Sequence, residues 1–214
     1  IITISKPVEK IDEVLLFLKK QININNQIFW VCPLIEESKK FDYAAAVEKY
    51  NFLSKKFGNK VGLIHGNLKK EEKDKILNNF LEKNIDILVS TTVIEVGVDF
   101  PNANIIIIEN SNKFGLSQLH QLRGRVGRGN KQATCILLYK KNLSENAKKR
   151  INILKSSNDG FFIAEEDMKL RGYGDILGFQ QSGIKDFKLA DPVHHEDLFN
   201  IAEQNIKDIE LDEN

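Results

Sequence analysis

Short, nearly continuous apolar runs recur through the first two-thirds of this sequence, each separated from the next by a segment of helical periodicity. The runs are Ile28 to Cys32, Val61 to Ile64, Ile85 to Val89, Ile105 to Ile108 and Ala133 to Tyr139. A strand that is apolar on both faces needs cover on both faces, and parallel strands obtain it from the helices that cross between them. The intervening segments can supply those helices. Val8, Ile11, Leu15 and Leu18 repeat at helical spacing within Pro7 to Lys20, and Asp42 to Phe57 is closed by Gly58. Lys69 to Leu81 and Leu116 to Val126 follow the same period. The expected class is α/β, a parallel β-sheet with helices on both faces.

After Tyr139 the strand signal stops. Lys140 to Leu154, Gly160 to Leu170 and Asp191 to Ile209 are helical in pattern, with a glycine-rich loop from Gly172 to Gly183. The expected division is residues 1–143 for the sheet domain and 144–214 for a helical region. The acidic residues of the tail (Asp208, Glu210, Asp212, Glu213) read as a solvated end.

Several classes are excluded early. No apolar run approaches the roughly 20 residues that a membrane helix needs, so no membrane partner is expected. Ile1 to Pro7 lacks the basic leader and long apolar core of a secretory signal. The chain lacks a starting Met and its single Met is Met168, which suggests an excised fragment. Cys32 and Cys135 each lie inside an apolar run without metal-ligand spacing, so both read as buried thiols of a reducing cytoplasm. A net charge of +1 neither requires nor excludes nucleic acid, because amides and hydroxyls can hold phosphates.

The most informative stretch is Gln118 to Gly129. On a continuous helix, Gln118, Gln121, Arg125 and Arg128 fall on one stripe, while Leu116, Leu119 and Val126 form a neighbouring apolar face. A glycine inside a helix costs about 1 kcal/mol against Ala. Gly124 and Gly127 therefore ask for a reason, such as close approach of a ligand or another backbone. Two guanidiniums one turn apart can fork onto the oxygens of a phosphate chain. This reading places the pair at the exposed edge made by the carboxyl ends of the strands.

Other candidates follow strands directly, where parallel sheets place ligand-binding loops. Thr91 and Thr92 offer hydroxyls and amides to backbone phosphates, and Asp99 offers a carboxylate to a ribose hydroxyl; the alternative is an ordinary capped turn. His65 and Gly66 end another strand. Gly172, Gly174 and Gly178 do not make a dinucleotide fingerprint, because the third glycine comes one place late and a helix precedes the loop.

Gln121-Leu122-Arg123-Gly124-Arg125-Val126-Gly127-Arg128 resembles the sixth motif of superfamily 2 helicases. Val89 to Pro101 is similar to their fifth motif, and Leu63 to Leu68 to the element between the fourth and fifth. Cys32 to Ser38, Leu119-His120-Gln121 and Ser157 to Phe161 look like the RecG family within that superfamily. Leu170 to Gly183 resembles the helical hairpin and loop that this family shares with the transcription-repair coupling factor. Tyr173 stands where Pro is common there, and Phe179-Gln180 where Thr-Arg is usual.

The resemblance implies a RecA-like second motor domain followed by a small helical extension with a helical hairpin and loop. It implies Arg125 and Arg128 as fingers on the γ-phosphate of ATP, a role worth roughly 10³ to 10⁵ in rate in phosphoryl transfer. Gln121, Gly97 and Asp99 would lie on the nucleotide side, and Thr91, Thr92, His65 and Gly66 would contact DNA. Arg171, Gly172, Gly174 and Gln181 would belong to the translocation loop. The sequence has no G-x-x-x-x-G-K-[ST] loop and no Asp-Glu-x-His run, so ATP with Mg²⁺ would be held mainly by a preceding motor domain. The implied partners are branched double-stranded DNA, that first motor domain and an N-terminal wedge of the same polypeptide. The alternatives are a double-stranded-DNA translocase of the coupling-factor type and a non-enzymatic nucleic-acid-binding module.

Overall fold

The computed structural model describes residues 1–33, 39–91, 100–127 and 131–171, with the side chains of 39–42 and 171 outside the description. The glycine-rich loop and the helix expected over Asp191 to Ile209 lie outside the described residues. The chain divides into two compact units, Ile1–Ala164 and Glu165–Asn214.

Six strands form one sheet: β1 (Ile2–Pro7), β2 (Gln27–Val31), β3 (Val61–Ile64), β4 (Ile87–Ser90), β5 (Ala103–Ile108) and β6 (Thr134–Tyr139). Their order is β1-β6-β5-β2-β4-β3 and every pairing is parallel, as the apolar runs require. Every residue of β2, β4 and β5 is buried, so the central strands are covered on both faces. On one face Ile28, Trp30, Val89, Ile105 and Ile107 meet Val14, Leu15, Leu18, Ala46 and Leu53 from helices α1 (Ile11–Asn23) and α2 (Lys39–Phe57). Alternate residues serve the other face, where Phe29 meets Phe80 at 5.2 Å and Phe100 at 5.5 Å between ring centroids. Phe80 comes from α3 (Lys70–Leu81), whose start is held by Glu72 accepting from the Lys69 amide at 3.0 Å. The remaining α-helices among the described residues are α4 (Leu116–Arg123), α5 (Glu145–Ser156) and α6 (Gly160–Arg171).

β1 was not expected from the sequence. It is an edge strand in which only Thr3 is buried, so Ile2 to Pro7 carries no continuous apolar run. The helix expected from Pro7 accordingly begins at Ile11, after a single 3-10 turn.

The registers align the strand ends. Pro7 lies opposite Tyr139, Val31 opposite both Ile108 and Ser90, and Ile64 opposite Ser90. The amino ends are closed by side chains. Gln27 donates to the Phe80 and Ile85 carbonyls, and Asn104 donates to Asn26 at 3.1 Å. Lys131 donates to the Ile24 carbonyl at 3.3 Å. Among the described residues no helix is long and apolar enough to cross a membrane.

Candidate functional site

Helix α4 carries the arginine segment. The Gln118 side-chain Oε1 accepts from the Gly115 amide at 3.0 Å and closes the first turn, while Leu116, Leu119 and Leu122 are buried. The helix stops at Arg123, and the expectation that it runs to Val126 is corrected. Gly124 still has helical angles, but Arg125 donates to Leu122 and Val126 to Arg123, which tightens the chain into turns. Gly127 then takes φ +83. A Cβ there would meet the Ala133 Cβ at 2.9 Å and Ile1 Cγ1 at 3.6 Å. This glycine is therefore demanded by left-handed backbone and a close neighbour within the chain. Gly124 has only ordinary contacts, the Gln121 and His120 carbonyls at 3.5 and 3.6 Å. Arg125 does not share the helical stripe expected to join it to Gln118 and Gln121, because the helix ends before it.

The position of the segment also differs from expectation. Ala133 and Ile1 stand at the amino ends of β6 and β1, and the Ile2 amide donates to the Ala133 carbonyl at 2.9 Å. The turn around Gly127 therefore lies at the amino edge of the sheet. The reason is topological: a crossover between parallel strands must return to the amino edge before the next strand begins. Gln121 is exposed and Arg125 half-buried. Among the described residues, no carboxylate or carbonyl holds the Arg125 guanidinium. Arg128 lies outside the described residues.

Arg123 was not singled out from the sequence. Its side chain is 2% exposed. One guanidinium nitrogen donates to the Leu154 and Ser157 carbonyls at 2.7 and 2.8 Å, and more weakly to Thr3 Oγ1 at 3.4 Å. The other lies 3.0 Å from His120 Nδ1. Leu154 and Ser157 stand at the end of α5, so the cation satisfies carbonyls that a helix terminus leaves open and meets the negative end of its dipole. Burial lowers the Arg123 pKa. Burial first, and the neighbouring cation second, lower that of His120. His120 is thus the neutral tautomer that accepts at Nδ1. One signal existed: Arg123 follows Leu116 by seven residues and Leu119 by four, a core-facing position.

A second group gathers at the carboxyl edge. The Thr91 amide donates to the Ile64 carbonyl at 3.3 Å, which brings Thr91 beside His65 and Gly66. The His65 ring meets Tyr43 edge-on at 4.6 Å, its Nδ1 is buried without a partner among the described residues, and burial lowers its pKa. A Cβ on Gly66 would face open space. Thr91 is itself 5% exposed, so it offers less surface than the sequence suggests. Two residues that sequence reading missed stand at the same edge, after β5 and on α2. Glu109, just after β5, pairs with Lys49 of α2 at 2.6 Å and accepts from the Cys32 thiol at 3.6 Å. The Lys49 ammonium lies 5.3 Å from the Trp30 ring centroid and 5.1 Å from that of Phe52. Burial, and then the Glu109 carboxylate, push the Cys32 thiol far above the ordinary range, so it stays protonated.

Thr92, Gly97, Asp99, Gly172, Gly174 and Gln181 lie outside the described residues, and of Arg171 only the backbone, ending α6, is described. Among the described residues no group of three His, Cys, Asp or Glu could hold a metal ion. The arrangement offers polar and cationic groups to an anionic ligand at both edges, but no complete phosphate cradle among the described residues.

Comparison with known proteins extends this picture. Residues 7–130 match the helicase conserved C-terminal domain, and residues 157–214 match the C-terminal part of domain 3 of the ATP-dependent DNA helicase RecG. The chain is 48% identical over 199 residues to the ATP-dependent DNA helicase RecG of Bacillus subtilis (strain 168), covering 92% of this chain and 29% of that protein. To the Thermotoga maritima protein of the same name it is 45% identical over 212 residues, covering 98% of this chain and 27% of the relative. The chain thus spans under a third of the length of these relatives. Among solved structures, RecG bound to a three-way DNA junction superposes with TM-score 0.69 at 45% identity, over 92% of this chain and 25% of that one. A yeast Dbp5 structure with RNA and ADP BeF3 matches at TM-score 0.53 and 20% identity, which concerns the fold alone.

Proposed function

Because the chain belongs to the RecG family of ATP-dependent DNA helicases, we propose that it is the second motor domain and coupling region of a helicase acting on branched DNA. The observation that carries this reading is the similarity, at 45% identity over 92% of the chain, to RecG bound to a three-way DNA junction. Residues 1–143 carry the motor fold in this reading, and residues 144–214 the helical region with its translocation loop. ATP binds between this domain and a preceding motor domain, which supplies the phosphate loop and holds Mg²⁺. A wedge at the N-terminal side of the same polypeptide splits the branch. The protein works in the bacterial cytoplasm on stalled forks and Holliday junctions.

Arg125 and Arg128 reach the γ-phosphate across the cleft, with Gln121, Gly97 and Asp99 on the nucleotide side. The absence of a binding partner for Arg125 among the described residues supports that role, because a finger must be free to engage a charge that another domain presents. His65, Gly66, Thr91 and Thr92 hold a DNA backbone at the opposite edge. Arg171, Gly172, Gly174 and Gln181 pass the motion to duplex DNA. In the polypeptide carrying both motor domains, Arg125→Ala lowers DNA-stimulated ATP hydrolysis roughly 10³-fold or more and leaves junction binding in place. Unchanged hydrolysis in that variant refutes the finger assignment.

A further inference from the structure

We propose that a depression at the carboxyl ends of β1 and β6 is a further binding site for the DNA phosphate backbone, a reading that rests on the proposed helicase function. β1 and β6 end side by side, with Pro7 opposite Tyr139. The chain then turns through Asn142, which is left-handed at φ +67, and enters α5 at Ser144, whose hydroxyl accepts from the Ala147 amide at 3.3 Å. Between the strand ends and the first turns of α5 lies an open space of about 850 Å³. Ser5, Tyr139, Lys141, Asn142, Lys148 and Asn152 line it, and no carboxylate does.

That lining suits a multiply oxygenated anion. Hydroxyls and side-chain amides donate to oxygen, and two ammonium groups supply charge. The lysines have only surface partners, and these lie outside the lining. Lys141 stands 3.7 Å from Glu9, and Lys148 2.7 Å from Glu145, all four side chains being 45% or more exposed. Such exposed pairs contribute about 0–1 kcal/mol, so a phosphate can replace the carboxylates at little cost.

The position selects DNA as the source of the phosphate. The depression opens on the same edge of the sheet as His65, Gly66 and Thr91. Strand spacing of about 4.8 Å puts β6 about 14 Å from β4, and β1 about 24 Å from β3. The longer span equals about seven base steps at 3.4 Å of axis each, so one duplex arm can reach from one end of the edge to the other.

The test measures the affinity of the intact polypeptide for a three-way junction across a salt series. Each lost phosphate contact lowers the salt slope by about 0.9, so Lys141→Ala/Lys148→Ala is expected to reduce it by about two and to weaken binding. Lys141→Arg/Lys148→Arg restores both. Lys19→Ala/Lys20→Ala removes the same charge from an exposed stretch of α1 that runs away from this edge, and leaves the slope unchanged. An equal loss in that control overturns the site, because general charge would then explain the effect. Wild-type binding by the Lys141/Lys148 variant, alongside weakened binding by His65→Ala, overturns the site and leaves the function standing. Wild-type binding by both overturns the site and the DNA-edge assignment together.

Discussion

Within eight residues the arginine segment passes from one kind of environment to another. Leu122 and Arg123 belong to the interior, where Arg123 holds the Leu154 and Ser157 carbonyls and leans on half-buried His120. Gly124 to Gly127 is a turn at the surface, in which Arg125 is half-buried with no carboxylate or carbonyl partner among the described residues. In the motif both arginines are adjacent to the same glycine and look alike. Their environments separate them, because a buried cation whose donors hold carbonyls braces the fold.

The sharpest way to break this contrast is Arg123→Ala. It strands a buried and a half-buried carbonyl and removes two short charge-assisted hydrogen bonds, so a loss of about 3–5 kcal/mol is expected in denaturant unfolding. A variant that unfolds like wild type while losing ATP hydrolysis would reverse the roles assigned to the two arginines. Gly127→Ala comes next, at about 2 kcal/mol, since φ is positive there and the new Cβ meets Ala133.

Acidification probes the Arg123–His120 contact more gently. The folded pKa of His120 is lowered, chiefly by burial, below its ordinary value of 6.5. The unfolded chain therefore binds more protons between the two values, and stability falls as pH drops below about 6.5. His120→Asn, which keeps an acceptor near the Nδ1 position without titrating, should flatten thermal melts across that window. Part of the slope persists, because His65 is shifted in the same direction. Gly124→Ala acts oppositely to Gly127→Ala: with helical angles and only ordinary contacts for a Cβ, it should gain about 0.5 kcal/mol. A steep loss of hydrolysis in that stabilised variant would show that a ligand approaches Gly124 closely. Arg125→Ala is expected to change stability by less than about 0.5 kcal/mol, the smallest effect of the series.

Much of the scaffold was legible before any coordinates. Val61 to Ile64 forms a strand over those very residues, and Gly58 closes α2 with φ +68, as its place after Phe57 suggests. The site was legible in a different way. Motif spelling located the segments but ran the helix past Arg123, because a glycine-bearing helix and a helix followed by a turn share one spelling. Glu109, Lys49 and Cys32 come from three separate elements, and no spacing in the chain announces their meeting.

What the sequence determined alone is the class of the fold. Two-sided burial is a local property, written into each run such as Ile105 to Ile108 by its composition, and parallel strands with crossover helices are the way to satisfy it. Tertiary structure alone decided which carbonyls Arg123 holds, where α4 stops, and that the turn at Gly127 stands at the amino edge. Each of these depends on residues far along the chain: Leu154 and Ser157 for Arg123, Ala133 and Ile1 for Gly127. Burial and steric limits imposed by such distant neighbours act only once the sheet has brought them together.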